Sequence, residues 1–261
     1  MRLAERLQPF LAWPRARRVA VGVALLLAAP SLGMGFFLDD NVHAVQAAGA
    51  RFIGGPFDEF TFVDGDPSKT LPNVRRGPFP WWTEPELKLS FFRPLSSALM
   101  VLDHHVFGLW APGHHLHSLL WFAAFVFAAG LLLHEALPGA LGAGALLLFA
   151  IDDTHWMPAS WLANRNSLVA NVPALFAVFA HVRWRATGDR RYLWGVLAGL
   201  ATGFAGGEAA LGSVGYLLAY EATRSGPLRE RLRALGPVVV LGLLYVVLYR
   251  KMGAGARYSS T

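Results

Sequence analysis

Two adjacent carboxylates, Asp39 and Asp40, follow the first long apolar run of the chain. A carboxylate next to lipid is costly unless it is solvated, paired or functional. The pair could serve as a catalytic base or as a metal ligand near a membrane-bound substrate. Two structural alternatives are a solvated helix boundary and an N-cap for a helix that begins near Asn41. The spacing by itself leaves these alternatives open.

Five histidines surround the start of the second long apolar block. Neutral imidazole can bind zinc or transfer protons, but the chain has no cysteine to complete a zinc site. His114 and His117 share one face of a helix. We predict no metal site here, favour side chains at headgroup depth, and keep contact with a substrate phosphate open. The five residues are His104, His105, His114, His115 and His117.

A second polar stretch runs from Asp152 to Arg165 and includes His155. An arginine can hold a phosphate with two parallel hydrogen bonds, or it can extend toward lipid head groups. Farther along the chain, Glu208 begins an apolar block, where an acid also interacts favourably with the helix dipole. Arg165, His155 and Glu208 are therefore candidate site residues, each with a structural alternative.

The elements that must position these residues are apolar helices. Hydrophobic residues make up 54% of the 261-residue chain and charged residues 15%, against about 25% charge in soluble domains. In lipid, apolar blocks of about 18 or more residues form helices, because backbone polar groups must pair within their own segment. We predict an all-α fold, a polytopic transmembrane helical bundle of about seven spans. The predicted spans are 19–38, His114–Leu133, Gly139–Ile151, Leu168–Val182, Tyr192–Ala205, Ala209–Tyr220 and Val238–Tyr249.

We expect one membrane domain, 1–261, with an extracytoplasmic loop over 39–112 after the first span and the remaining spans within 113–250. Inside the loop, Leu89–Phe107 has leucines at near-helical spacing and predicts an amphipathic helix. Arg93 and Asp103 add charge to this helix, so we expect it to lie on the membrane surface rather than to cross. The chain ends soon after the last predicted span, and we interpret it as a partial protein.

Three short basic segments indicate the orientation. Lys and Arg concentrate in cytoplasmic loops, so we predict a cytoplasmic N-terminus in the cytoplasmic (inner) membrane. The first apolar run is long for a signal peptide and lacks a small-residue cleavage site. The net charge of +6 belongs to these loops, and we predict no nucleic-acid partner. The basic segments are the N-terminal Arg2, Arg6, Arg15, Arg17 and Arg18, the loop Arg183–Arg191 and the loop Arg224–Arg233.

Four stretches, all on the predicted outer face, resemble the GT-C superfamily of membrane glycosyltransferases. The resemblance is greatest to the protein O-mannosyltransferase-like group, which often carries tetratricopeptide repeats, and it covers most of the chain from Phe37 to Glu221. The segment from Gly113 to Leu120 is also similar to a histidine pattern of that group. The four stretches are Phe37-Leu38-Asp39-Asp40, Phe92-Arg93-Pro94-Leu95-Ser96, His155 through Trp161 to Arg165, and Gly207-Glu208.

The resemblance implies transfer of a sugar from a polyprenyl-phosphate donor to a protein or glycan hydroxyl at the outer membrane face. Asp39 or Asp40 matches the family's general base, which removes the proton of the acceptor hydroxyl. Arg165, with Arg93 or His155, would stabilise the leaving phosphate. The donor tail would lie in membrane lipid between helices. Glu208, His114 and His117 are further site candidates; relatives differ in using a divalent metal, so we assign no cofactor.

The rival interpretation is a non-catalytic membrane protein with several spans. A transporter needs ionisable residues near the middle of the membrane, and the predicted spans hold almost none. The interpretation as a non-catalytic scaffold stays open. The chain also departs from the family's pattern: Asp152-Asp153 stands where relatives carry His-Pro, Met157 replaces a Glu, and Ser167 replaces an Asp. An N-terminal portion of such an enzyme, or an inactive relative, is therefore part of the prediction.

Overall fold

The computed structural model describes residues 13, 15–49, 57–77 and 79–258, so Arg2, Arg6 and the last three residues lie outside it. The described chain is mostly helical. Four of its segments are long and apolar enough to cross a membrane, and a fifth apolar helix, Gly139–Ile151, is shorter. The membrane class that composition predicts is thereby supported. The four segments are Arg15–Gly33, Ala111–Ala136, Leu162–Thr187 and Leu228–Lys251.

From Pro94 onward the helices follow one another with short connections. Short 3₁₀ segments, at Ala29–Gly33, Asp153–His155, Leu162–Arg165 and Glu208–Ala210, continue or link them. In chain order the α-helices are α1 (Arg15–Ala28), α2 (Asp39–Ala47), α3 (Pro67–Arg76), α4 (Pro94–Phe107), α5 (Ala111–Ala136), α6 (Gly139–Ile151), α7 (Trp156–Ser160), α8 (Asn166–Thr187), α9 (Arg190–Gly206), α10 (Leu211–Thr223) and α11 (Leu228–Lys251).

The first helix is shorter than the predicted span 19–38. It changes to a 3₁₀ turn at Ala29, next to Pro30, which has no backbone N–H to donate. The turn ends at Gly33, and a separate helix, α2, begins at Asp39. The carboxylate pair is therefore carried by its own short helix and not by the end of the first span.

The mostly helical fold is as predicted, but it is accompanied by a small sheet that we did not predict. Three antiparallel strands, Thr61–Asp64, Lys88–Ser90 and Gly255–Arg257 (β1, β2 and β3), pair in the order β1-β2-β3. Segments of three or four residues are too short to show a strand period in the sequence. The second strand also shortens the predicted helix Leu89–Phe107, which begins only at Pro94. Since β3 follows α11, the sheet ties the end of the last helix to the segment after α1.

Helices α8 and α9 form a close antiparallel pair because small residues face each other. The turn between them uses Gly188 at φ 74°, a left-handed conformation that glycine adopts without strain. A Cβ added at Gly199 would lie 2.7 Å from the Pro173 carbonyl oxygen and 2.9 Å from the Ala177 Cβ. Such small-residue contacts let helix backbones approach closely, as they do in membrane bundles.

Substituting Gly199 by Ala should therefore destabilise the bundle by about 1–3 kcal/mol, because backbone atoms of α8 would have to move. Gly215 in α10 is the matched control, since nothing lies within 4 Å of a Cβ added there. There the same change should be neutral or stabilising, because alanine is the better helix former. Melting temperatures of the detergent-purified variants compare the two; equal shifts would contradict the close contact.

Polar contacts gather at the two ends of the bundle. At one end Arg183 bonds to Glu135 and Arg185 bonds to Glu221, which joins the last turns of α5, α8 and α10. The first turns of the same three helices lie at the other end, together with α2 and the sheet. The predicted site residues, other than the more distant His155, are found at that second end.

Candidate functional site

The turn before the carboxylate pair is strained. Leu38 has φ 46° and ψ −117°, and among the described non-glycine residues it alone has a positive φ. Such a conformation costs of order 1–3 kcal/mol and persists only where surrounding contacts hold it. It precedes Asp39, the first residue of α2, and so helps to set the direction of both carboxylates.

Asp40 supplies one of the holding contacts. Its carboxylate accepts hydrogen bonds from the backbone N–H of Phe37 (3.0 Å) and from that of Ala163 (2.7 Å). The side chain is 2% exposed. Both structural alternatives for this residue are therefore wrong: it is not solvated, and its bonds go back to Phe37 and across to the 3₁₀ turn rather than to an N-cap position in α2.

Burial raises the pKa of Asp40 to about 6, against the opposing effect of the two backbone hydrogen bonds. The folded state thus binds this proton more tightly than an unfolded chain does, whose carboxyl has a pKa of about 3.9. The resulting stabilisation is complete below about pH 4 and is lost as the pH rises through the folded-state pKa.

We therefore expect the melting temperature of the purified protein to fall between about pH 4 and pH 7. Asp40→Asn should remove that part of the pH dependence, because an amide does not titrate in this range. The difference between the two pH curves isolates Asp40 from other carboxyls. Parallel curves would show that the pKa of Asp40 is not raised.

Asp39 is exposed and lines an open pocket of about 160 Å³. The rings of Phe60, Phe62, Phe91 and Trp161 form its apolar surface. Its polar groups come from Arg93, His43, Asn164 and Asn166. A lining that combines aromatic rings with several polar side chains suits a small polar ligand.

His43 separates this pocket from a second cavity and lines both. It lies one helical turn after the carboxylate pair and is buried. Burial, and then the positive charges of Arg93 and Arg165, lower the pKa of His43 to about 3, so its ring is neutral. We did not predict a role for this histidine, although its helical spacing from Asp39 was a visible signal.

The second cavity brings Asp40, Arg165 and His114 together. Its volume is about 20 Å³, which is room for roughly one water molecule. Of the acidic pair, Asp40 shares this cavity with Arg165, whereas Asp39 lines the other pocket. The space between Asp40 and Arg165 is too small for a sugar.

Arg165 is held by a buried network. Its Nη2 lies 2.5 Å from Asp103 Oδ2, and its Nη1 donates to the carbonyl oxygen of His114 at 3.2 Å. His117 Nδ1 lies 2.6 Å from the other Asp103 oxygen, and Trp121 Nε1 donates to His117 Nε2 at 3.0 Å. The indole bond leaves the His117 proton on Nδ1, where it is donated to Asp103.

Asp103 is the centre of this network, and we did not predict it as a site residue. Burial raises the pKa of this carboxyl, but the bond from His117 and the charge of Arg165 outweigh burial and hold it below the usual value. Because the Arg165 side chain is only 3% exposed, the alternative that it extends to lipid head groups is wrong. Asp103 is one of the two charged residues from which we predicted a surface position for α4, and its side chain is buried as well.

Arg93 and Glu208 form a second ion pair beside the open pocket. Arg93 Nε donates to Glu208 Oε2 at 3.0 Å and Nη2 donates to the other oxygen. The guanidinium lies over the Phe91 ring, 4.5 Å from its centre. Burial raises the pKa of Glu208, yet the bonds from Arg93 prevail and lower it. Glu208 thus has a specific partner beyond the helix dipole.

His155 lies away from this cluster. Its ring contacts Phe122 and Phe149, and it lines a third cavity with Asp152 and Asp153. This cavity shares no lining residue with the other two. The structure therefore does not bring His155 to Arg165, as a shared phosphate site would require.

Within the described ranges, no group of three or more His, Asp or Glu side chains is arranged to hold a metal ion. Comparison with known proteins identifies no relative: no family model, no curated protein and no solved structure matches the chain. Any functional assignment therefore depends on the geometry of the site and on the motifs in the sequence.

Proposed function

We propose that this chain is a GT-C-type membrane glycosyltransferase, or the N-terminal membrane portion of one. It would move a sugar from a polyprenyl-phosphate donor to an acceptor hydroxyl on a protein or glycan. The observation that carries the proposal is the exposed carboxylate of Asp39, which follows a strained turn and lines an aromatic pocket with a guanidinium on another side.

The pocket has the chemistry that a sugar needs. Aromatic rings such as Phe62 and Trp161 pack against the apolar C–H face of a sugar, while Asn164 and Asn166 hydrogen-bond hydroxyl groups. As the acceptor oxygen attacks the anomeric carbon, its proton passes to Asp39. The bond from that carbon to the donor phosphate breaks, and the phosphate leaves with the electron pair.

Arg93 is the cation best placed to stabilise the leaving phosphate, because it lines the same pocket as Asp39. Its pairing with Glu208 orients the guanidinium. Arg165 is occupied by Asp103, so in this mechanism it positions the turn that carries Asn164 instead of binding phosphate. Asp40 likewise positions Asp39 through its bond to Ala163. A requirement for a divalent metal stays open.

The proposed orientation has seven spans, a cytoplasmic N-terminus and the site at the outer face of the cytoplasmic membrane. Two observations support it. The arginine-rich contacts and the carboxylate site occupy opposite ends of the bundle, as the positive-inside rule requires. The strand after α11 pairs beside the segment that follows α1. An even number of passes between them, six in a bundle of seven spans, would bring both to the same face. Helix α4 would then cover the outer end of the bundle.

A non-catalytic scaffold is favoured by one feature. Arg93, Arg165 and Asp40 all have structural partners, and the cavity between Asp40 and Arg165 holds roughly one water. A scaffold would keep these contacts for stability alone and would have no need for a donor to enter.

Donor binding separates the two functions. The purified chain in lipid nanodiscs would be offered polyprenyl phosphates carrying radiolabelled hexoses, with an acceptor peptide rich in serine and threonine. Saturable binding and transfer of label to the peptide are expected for the enzyme. The same lipid phosphate without a sugar is the control. Absence of specific binding with every hexose would reject the glycosyltransferase and leave the scaffold.

A further inference from the structure

The third cavity lies on the flank of the bundle, between the end of α1 and helices α5 to α7. Its volume is about 400 Å³, within the range of about 300–1,000 Å³ that is usual for ligand sites. The walls are mainly apolar and include Ala28, Phe122 and Ala159. The proposed transfer reaction makes no use of this space.

The cavity opens toward the side of the bundle. Leu27, Ile151 and Trp156 line it and are themselves more than half exposed. Two of them belong to apolar helices, α1 being part of a candidate membrane span and α6 the shorter apolar helix. In a bilayer these exposed apolar side chains face lipid, so the opening is accessible to an acyl chain.

Inside the cavity is a hydroxyl group that lacks a partner. Ser31 is 3% exposed, and its Oγ has no hydrogen-bond partner among the described residues. A buried hydroxyl without a partner costs of order 1–3 kcal/mol. A ligand with a polar group at this depth would remove that cost. The unpartnered hydroxyl therefore indicates an occupant for a reason that does not depend on the size of the cavity.

The polar edge of the cavity consists mostly of hydrogen-bond acceptors. Asp152 and Asp153 contribute exposed carboxylates. His155 hydrogen-bonds the Phe149 carbonyl, and burial lowers its pKa, so the ring is neutral at pH 7. Its buried Nε2, which has no partner in the described part of the chain, is then an acceptor. Two negative charges and a lone pair favour a cationic group at this edge.

We propose that this cavity binds an acyl chain of a membrane phospholipid whose head group carries a primary ammonium, as in phosphatidylethanolamine. The chain fills the apolar space, the Ser31 hydroxyl donates to an ester or phosphate oxygen, and the ammonium lies against Asp152, Asp153 and His155. A polyprenyl phosphate fits less well, because its head is an anion and the carboxylates would repel it. The site is therefore separate from the proposed donor site.

Native mass spectrometry of the delipidated protein tests this site directly. Phosphatidylethanolamine should bind about fivefold more tightly than phosphatidylglycerol, as expected for exposed charge pairs. The double variant Asp152→Asn/Asp153→Asn should bind the two lipids equally, because both negative charges are removed. The turn itself should be kept, because the amide at 152 can still accept the hydrogen bond from the Thr154 N–H. Equal or tighter binding of phosphatidylglycerol by the unmodified protein would overturn the proposal, as would displacement of phosphatidylethanolamine by equimolar polyprenyl phosphate.

Filling the cavity provides the second readout. Ala159→Phe should abolish retention of phosphatidylethanolamine, and Ala28→Leu, which adds less volume at a half-buried position, should weaken it. Leu148→Phe, on an exposed part of α6 outside the cavity, should change nothing. Unchanged retention of phosphatidylethanolamine in a folded Ala28→Leu variant would contradict the proposed site. The readout is bound lipid, so its failure is distinguishable from a failure of sugar transfer.

Discussion

Asp103→Asn is expected to lower the free energy of unfolding by about 3–5 kcal/mol, because it leaves the buried Arg165 guanidinium without a counter-charge. Asp103 and Arg165 are both nearly inaccessible to solvent. The single oxygen of the amide can accept from only one of the two partners, so either the contact with Arg165 or the His117 bond that joins α4 to α5 is lost as well. Denaturant titration of the protein in detergent micelles would measure the loss.

The exposed pair Lys69–Asp64 is the matched control. Asp64→Asn breaks an ion pair that solvent screens, so its cost should stay below about 1 kcal/mol. A third variant isolates the unpaired charge: Asp103→Leu combined with Arg165→Met should recover much of the lost stability, because no charge then remains buried. Similar small losses for Asp103→Asn and Asp64→Asn would contradict the role of the network.

Asp39→Asn should reduce sugar transfer by about 10²–10⁴-fold while leaving the fold intact. The amide keeps the shape of the side chain but cannot accept the proton of the acceptor hydroxyl. Because Asp39 is exposed, its substitution should change stability by only about 0.5 kcal/mol. Transfer assays with saturating donor, together with melting curves, would separate the two effects.

The rate of transfer should also depend on pH in a definite direction. Partial burial raises the pKa of Asp39, and only the ionised carboxylate can accept a proton. Transfer should therefore increase as the pH rises through that raised pKa, and the Asn variant should lose this dependence. Asp152→Asn, an exposed carboxylate at the separate cavity, should transfer normally.

Asp40→Asn should act differently from Asp39→Asn. An amide nitrogen cannot accept a hydrogen bond, so either the Phe37 or the Ala163 N–H loses its partner. We expect a lower melting temperature and a partial loss of transfer that stabilising conditions restore. Normal turnover in both single variants would remove the proposed base.

Part of this site was predictable because its residues are adjacent in sequence or follow a motif. Asp39, Arg93 and Glu208 all lie at one end of the bundle, as predicted, and two of them form an ion pair. Asp103 was not predictable as a site residue, because its partners are 14 and 62 positions away in the sequence. For His155 the motif led to a wrong prediction. Its position in the motif suggested a phosphate site shared with Arg165, but contacts with three phenylalanine rings hold the side chain elsewhere.

The sequence alone determined the class of this protein, a mostly helical chain with apolar segments long enough for a bilayer, because hydrophobic length and charge placement are local properties. Only the tertiary structure decided which charges are paired, which carboxylate is accessible and where the cavities lie. Those features arise when helix ends that are distant in sequence meet, and the cost of burying a charge then selects its partner.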